Sequence, residues 1–191
     1  MSMKAHCFLI QLTDKLTRET IMTLLIITAI TIFVLIIIVT MLPSKTSIAR
    51  KSTIDATPAE LFQLLSSTQG FQQFNPYKDD DPQLKITPFG PKTGIGAGFA
   101  FVGKEGKGTQ TITALKENES ITMQIDLGFM GQPLQHFSLD SAASGTEVTW
   151  QVDMDFGWNP MGRIFGLFAD KVLGSVYVRG LENLGRVAVA N

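Results

Sequence analysis

Few residues in this chain are of types that do chemistry, and their spacing narrows what they could do. Two histidines occur, His6 and His136. His136 sits beside Phe137 on an expected strand, where an imidazole partnered by Asp153 or Asp126 would act as a general base or a polar anchor. The commoner role for such a histidine is a surface or structural one. A lone histidine with no cysteine, second histidine or clear carboxylate partner does not complete a zinc set. The single cysteine, Cys7, excludes a disulfide framework. No G-x-S-x-G turn is present to expose a serine nucleophile. Asp79-Asp80-Asp81 lacks the spaced oxygens and following Glu of a calcium loop, so it reads as a solvated loop. Gly94-Ile95-Gly96-Ala97-Gly98 leads into a strand rather than a helix and lacks a Lys-Ser/Thr ending. It reads as a flexible loop, not a phosphate cradle. The sequence therefore points to no metal and no cofactor.

The mass of the chain lies elsewhere. Its 191 residues are 45% hydrophobic and only 17% charged, against about 25% charged in ordinary soluble domains. Much of the excess is one run of 22 residues, Ile21 to Leu42, free of charge, Gly and Pro. As a helix it would reach about 33 Å, enough for a hydrocarbon core of about 30 Å. Residues 1–20 form a leader, longer than a secretory signal needs, and the apolar run exceeds the 7 to 15 residues typical of a signal peptide. Residues 21–42 therefore read as an uncleaved, single-pass transmembrane helix. Lys4, Lys15 and Arg18 before it balance Lys45, Arg50 and Lys51 after it. The free α-amino group tips this tie toward an N-terminus inside and an extracytoplasmic domain. From Ser44 onward, 13 Lys and Arg face 15 Asp and Glu. Such a balance offers no basic stripe, so nucleic acid is not expected as a partner.

The domain that must position any site starts at once. Pro43 stops the helix, and Ser44 to Thr53 reads as a strand. Thr57 as N-cap, Pro58 in the first turn and Glu60 three residues after the cap open a short helix carrying Leu61, Phe62, Leu64 and Leu65. A second short helix carries Phe71 and Phe74 and ends before Asn75-Pro76. From about Gln83 to Phe156 the period becomes two, as in Ile121, Met123, Ile125 and Leu127, or Val148, Trp150, Val152 and Met154. Turn residues divide this stretch into about six strands, seven with the first. After Asn159-Pro160 the period returns to 3.6 for one long helix. Glycines at 162, 166, 174, 180 and 185 interrupt it, each costing about 1 kcal/mol relative to Ala. They imply either close helix–sheet contact or room for a ligand.

Particular residues carry a family likeness. These are Leu42-Pro43-Ser44 entering a strand, Ile54-Asp55-Ala56-Thr57-Pro58-Ala59-Glu60-Leu61-Phe62, Phe74-Asn75-Pro76-Tyr77 and Asp81-Pro82. Further on come Gly106-Lys107-Gly108, Gly145-Thr146-Glu147-Val148-Thr149-Trp150, Gly174 and Arg179-Gly180-Leu181-Glu182-Asn183-Leu184. In that order the sequence resembles the polyketide cyclase/dehydrase and lipid-transport group of the SRPBCC (START/Bet v 1-like) superfamily over nearly all of residues 45 to 187. The family pattern usually has tryptophan where Phe74 and Phe101 stand, a departure that keeps aromatic character but alters fine cavity shape.

The resemblance implies an α+β helix-grip fold for residues 45–191: a curved antiparallel sheet of about seven strands, two short helices and a long C-terminal helix. It also implies an apolar cavity between the curved sheet and the long C-terminal helix for a hydrophobic small molecule or lipid, without implying catalysis. Expected lining residues on the sheet are Phe99, Phe101, Met123, Ile125, Phe137, Trp150 and Val152. From the helix come Met161, Phe165, Phe168 and Val172. The leading expectation is a membrane-tethered binding or carrier module. The alternatives are a cyclase-, dehydrase- or hydrolase-like enzyme using His136, and an interaction domain with a vestigial pocket.

Overall fold

The computed structural model describes the backbone of residues 2–104 and 106–190, and side chains from Thr17 onward. The leader residues Lys4, His6, Cys7 and Lys15 lie outside the described side chains. The chain divides into two compact units, residues 1–42 and 43–191.

The first unit is a single helix, α1, Ser2–Met41. It therefore extends back over the leader rather than starting at Ile21. Within it Thr17–Met41 is long and apolar enough to cross a membrane, and none of this stretch is buried against protein. Thr23, Thr28 and Thr31 return their hydroxyl protons to carbonyls four residues earlier, which satisfies the polar groups of an otherwise apolar surface.

The second unit opens with β1, Lys45–Ile54, followed by α2, Pro58–Leu65, α3, Thr68–Phe74, and a one-turn α4, Tyr77–Asp80. Six strands follow: β2, Lys85–Phe89; β3, Gly98–Gly103; β4, Gly106–Lys116; β5, Ser120–Asp126; β6, Leu134–Ala142; and β7, Gly145–Asp155. The chain closes with α5, Pro160–Ala190. The strands form one antiparallel sheet in the order β1-β7-β6-β5-β4-β3-β2. Pro88 lies on the edge strand β2, where a missing N–H costs the ladder least. This is the helix-grip architecture expected from the sequence.

Local chemistry explains the helix starts. Thr57 Oγ1 accepts from the Glu60 N–H at 3.3 Å while the Glu60 carboxylate accepts from the Thr57 N–H at 2.8 Å, a complete capping box. That bonding holds the Glu60 carboxyl below its usual range. Ser67 Oγ accepts from Gly70 N at 2.9 Å to start α3. Asn159 Oδ1 accepts from the N–H groups of Met161 and Gly162 to start α5.

The glycines of α5 are resolved by what lies against them. A Cβ at Gly162 would stand 2.5 Å from the Phe156 ring, at Gly166 2.8 Å from both Phe156 and Thr46, and at Gly180 2.4 Å from Trp150. At Gly174 the Arg50 guanidinium lies across the helix. Four of the five positions thus let α5 lie close against β1 and the core. Gly185 meets only Ile54, at an ordinary 3.8 Å.

Candidate functional site

The helix-facing side of the sheet carries a connected set of aromatic rings. Trp150 of β7 is stacked on Tyr177 of α5 at 5.0 Å and 26° and lies 4.7 Å from Phe137 of β6. Phe71 and Phe74 of α3 meet the indole edge-on at 6.3 and 6.2 Å. Phe71 continues to Phe99 at 5.6 Å, and Phe99 to Phe101 at 6.4 Å. The rings thus run from the β3 side of the sheet to the underside of α5, in stacked, tilted and edge-on pairs.

Polar groups are embedded in this face. Gln110 of β4 donates from Nε2 to Met123 Sδ at 2.9 Å. Gln135, two residues before Phe137 on β6 and opposite Val152, is only 2% exposed. Among the described residues its Nε2 has no hydrogen-bond partner, and neither has Nε1 of Trp150, itself 1% exposed. Each such buried, unanswered donor costs about 1–3 kcal/mol of desolvation. Tyr177 is held neutral: burial first, then the neighbouring Tyr77 hydroxyl, pushes its phenol well above the usual range.

Between α3 and strands β3, β4 and β5 the interior opens into a narrow cleft lined by Thr68, Phe71, Gly98, Phe99, Gln110 and Met123, among others. Its volume is about 10 Å³, room for about one water. The cleft is closed by Thr68 Oγ1 donating to Gly98 O at 3.2 Å and by the bridge between Ser67 and Thr93. The Gly94–Gly98 loop rims it. Gly94 N donates to Ser66 O and Gly96 N to Ile112 O, with both glycines at positive φ. A wider open depression of about 430 Å³, lined by Glu60, Gln63 and Gln73 among others, lies between α2, α3 and Ala188. The cleft, and not the depression, reaches the sheet and the rings of Phe71 and Phe99, but it lies under α3 rather than between the sheet and α5 as expected.

The expected lining residues separate into two groups. Phe99, Met123, Phe137, Trp150 and Val152 are buried on the helix-facing side, with Phe101 and Ile125 half-buried. Met161, Phe165, Phe168 and Val172 instead stand exposed on the outer surface of α5. The glycines at 162 and 166 turn their own side of the helix toward Phe156 and Thr46, which leaves the large apolar residues facing outward. Gln110 and Gln135 were not singled out by sequence. Their signal is parity, each being a polar residue on the apolar side of its strand.

His136 does have a carboxylate partner. Its Nε2 lies 3.4 Å from Asp153 Oδ2, and its Nδ1 lies 3.0 Å from Thr122 Oγ1. The three side chains stand on the opposite, solvent side of the sheet from Phe137 and Gln135. Asp126 is engaged elsewhere, accepting from Gly128 N and Gln132 Nε2. Asp79, Asp80 and Asp81 do not form a merely solvated loop. Asn183 donates to Asp79 at 3.0 Å, Arg179 pairs with Asp80, and Asp81 accepts from the N–H groups of Gln83 and Lys104. The run therefore ties α4 to α5 and to the β3–β4 turn. Among the described residues no three His, Cys, Asp or Glu side chains gather as a metal site.

A seven-stranded antiparallel sheet gripped by a long C-terminal helix over an aromatic interior defines a Bet v 1-like protein of the SRPBCC class. Within it the chain belongs to the family described as polyketide cyclase/dehydrase and lipid transport, which it matches over residues 45–189. Solved structures share the fold at low identity. Norcoclaurine synthase from Thalictrum flavum, a point mutant in complex with a transition-state analogue, is 8% identical with a TM-score of 0.60, covering 76% of this chain and 95% of that one. Ara h 8.0201 is 15% identical with a TM-score of 0.55, covering 77% and 99%. The di-domain aromatase/cyclase StfQ of the steffimycin biosynthetic pathway is 9% identical with a TM-score of 0.56, covering 76% and 51%. No curated protein shows significant sequence similarity to the chain.

Proposed function

We propose that residues 45–191 bind one hydrophobic, lipid-like molecule carrying an acceptor oxygen, and that residues 21–42 hold the chain in a membrane beside its source or destination. The observation that carries the ligand half is the pair of buried donors, Gln135 Nε2 and Trp150 Nε1, set among aromatic rings with no acceptor to answer them. Native structures leave few such groups unpaired. A carbonyl, ester or hydroxyl oxygen reaching either donor on the helix-facing side of the sheet would answer it, while Phe99 and Met123, which line the cleft, take the apolar body. Family membership supports the same class of ligand.

Access follows from the closing contacts. Separation of α3 from β3 breaks one side-chain hydrogen bond, Thr68 to Gly98, and the Ser67–Thr93 bridge, and leaves the ladders of β3 to β7 intact. Native mass spectrometry of the full chain, with solvent extraction of what it carries, tests the binding. One apolar molecule per chain is expected, and a chain that carries none and takes up no apolar dye would refute it.

The anchor half rests on the length and apolarity of the α1 run, which suit an uncleaved span better than a signal sequence. Retention in carbonate-washed membranes at full mass tests it. The domain lies on the extracytoplasmic side, and activity of a cytoplasm-only reporter fused at the C-terminus would reverse that orientation.

A further inference from the structure

One end of the sheet is unlike the other. Register places the start of β1, the end of β7, the β5–β6 connection and the β3–β4 turn together, because Lys45 pairs with Asp155, Leu134 with Asp153 and Gln124, and Gly103 with Gly106. At this end Trp158 is 85% exposed and Phe129 92% exposed. The opposite end is built from polar turns, Glu117-Asn118-Glu119 and Ala143-Ser144, with Phe89, Ile95 and Val189 as exposed large apolar residues toward it.

The start of α5 continues the apolar surface. Met161, Ile164, Phe165, Leu167 and Phe168 are all exposed. The one charge from Pro160 to Ala169 is Arg163, and it is buried, donating from Nε and Nη2 to Gly157 O with its guanidinium 5.5 Å from the Trp158 ring centre. Trp158 is therefore presented to solvent while held from behind. Charge returns at Asp170 and Lys171. Residues 161 to 168 span about 11 Å of helix, two turns of apolar surface.

Chain connectivity says what this surface meets. Ser44 O accepts from Phe156 N at 2.7 Å, and Ser44 is two residues past Leu42, the last residue of the apolar run. Trp158 is two residues past Phe156, within about 7 Å of it. Whatever the angle at Pro43, the patch begins within a few residues' reach of the point where the span ends.

We infer that this end of the domain is a bilayer-docking face, with Trp158 and Phe129 at the headgroup level and the first turns of α5 at the boundary with the acyl chains. Tryptophan is enriched at that level because its ring is apolar and its N–H is wet. Lys45, Lys104 and Lys107 share this end with Asp126, Asp153 and Asp155, so the charges favour no anionic lipid and the partner is a zwitterionic surface. The inference rests on the anchor proposed above. It reassigns Met161, Phe165 and Phe168 from ligand lining to lipid contact.

The test uses the full chain in phosphatidylcholine vesicles with and without bromine on the acyl chains, compared with Trp158→Phe. Trp150 is the other tryptophan of the chain, so the difference spectrum belongs to Trp158. That component should lose about half or more of its intensity in brominated lipid and resist iodide. A carbonate-resistant chain whose Trp158 emission ignores bromine and yields to iodide overturns docking while leaving the anchor standing. Resistance to both quenchers means that a second copy or another protein covers the patch, which also overturns it. Release by carbonate overturns the anchor and docking together. Phe129→Trp in the Trp158→Phe background reads a second point of the same face, and bromine quenching is expected there too.

Discussion

Gly180 of α5 and Trp150 of β7 are in direct apposition: a Cβ on Gly180 would stand 2.4 Å from the indole Cζ3. The helix can lie on the aromatic interior only because that side chain is missing. Gly180→Ala should therefore destabilise by about 1–3 kcal/mol through overpacking, despite the better helix propensity of alanine. Gly185→Ala, whose added Cβ would meet Ile54 at an ordinary 3.8 Å, should instead stabilise by up to about 1 kcal/mol. Urea unfolding of the two variants should move the midpoint in opposite directions.

Gln135→Leu removes a buried donor that no described residue answers. The ligand-free domain should be unchanged or more stable, by up to about 1–3 kcal/mol, and binding of an oxygen-bearing lipid should weaken by about tenfold or more, the worth of one lost hydrogen bond in a dry site. Thermal denaturation and a lipid-displacement titration on the same samples separate the two effects. Equal loss of both would mean that Gln135 is structural only.

His136→Asn changes a hydrogen-bonded pair on the solvent side of the sheet. Ligand content by mass spectrometry should be unaffected, and stability should change by less than about 1 kcal/mol. Loss of bound ligand would bring His136 back as a functional group.

Tyr177 gives an alkaline signature. Its folded phenol titrates above the usual value while the unfolded phenol ionises near 10. Above about pH 10 the folded state holds the extra proton, so stability is intact below that pH and falls as pH rises further. Tyr177→Phe should flatten that decline, as read from urea midpoints between about pH 8 and 11.

Thr57→Ala removes the hydroxyl half of the capping box. A loss of about 1 kcal/mol is expected, with fraying of α2 seen as faster amide exchange at Leu61.

The elements and their order were legible in the sequence because each has a local cause. Thr57, Pro58 and Glu60 set the start of α2, Asn159 and Pro160 set the start of α5, and the period of two in residues 121–127 and 148–154 set the strands. The apolar run that ends at Leu42 is likewise a property of composition. Periodicity says which residues share a face of one element, but it does not say what covers that face. Only the tertiary structure decided that His136 looks outward while Gln135 looks inward, because the register of β6 between β5 and β7 fixes that parity. Only packing decided that α5 presses its glycines onto Phe156, Thr46, Arg50 and Trp150, since the need for a bare backbone lies in the atoms opposite. The same contact turned Met161, Phe165 and Phe168 away from the interior, because the glycine side of the helix is the side that packs.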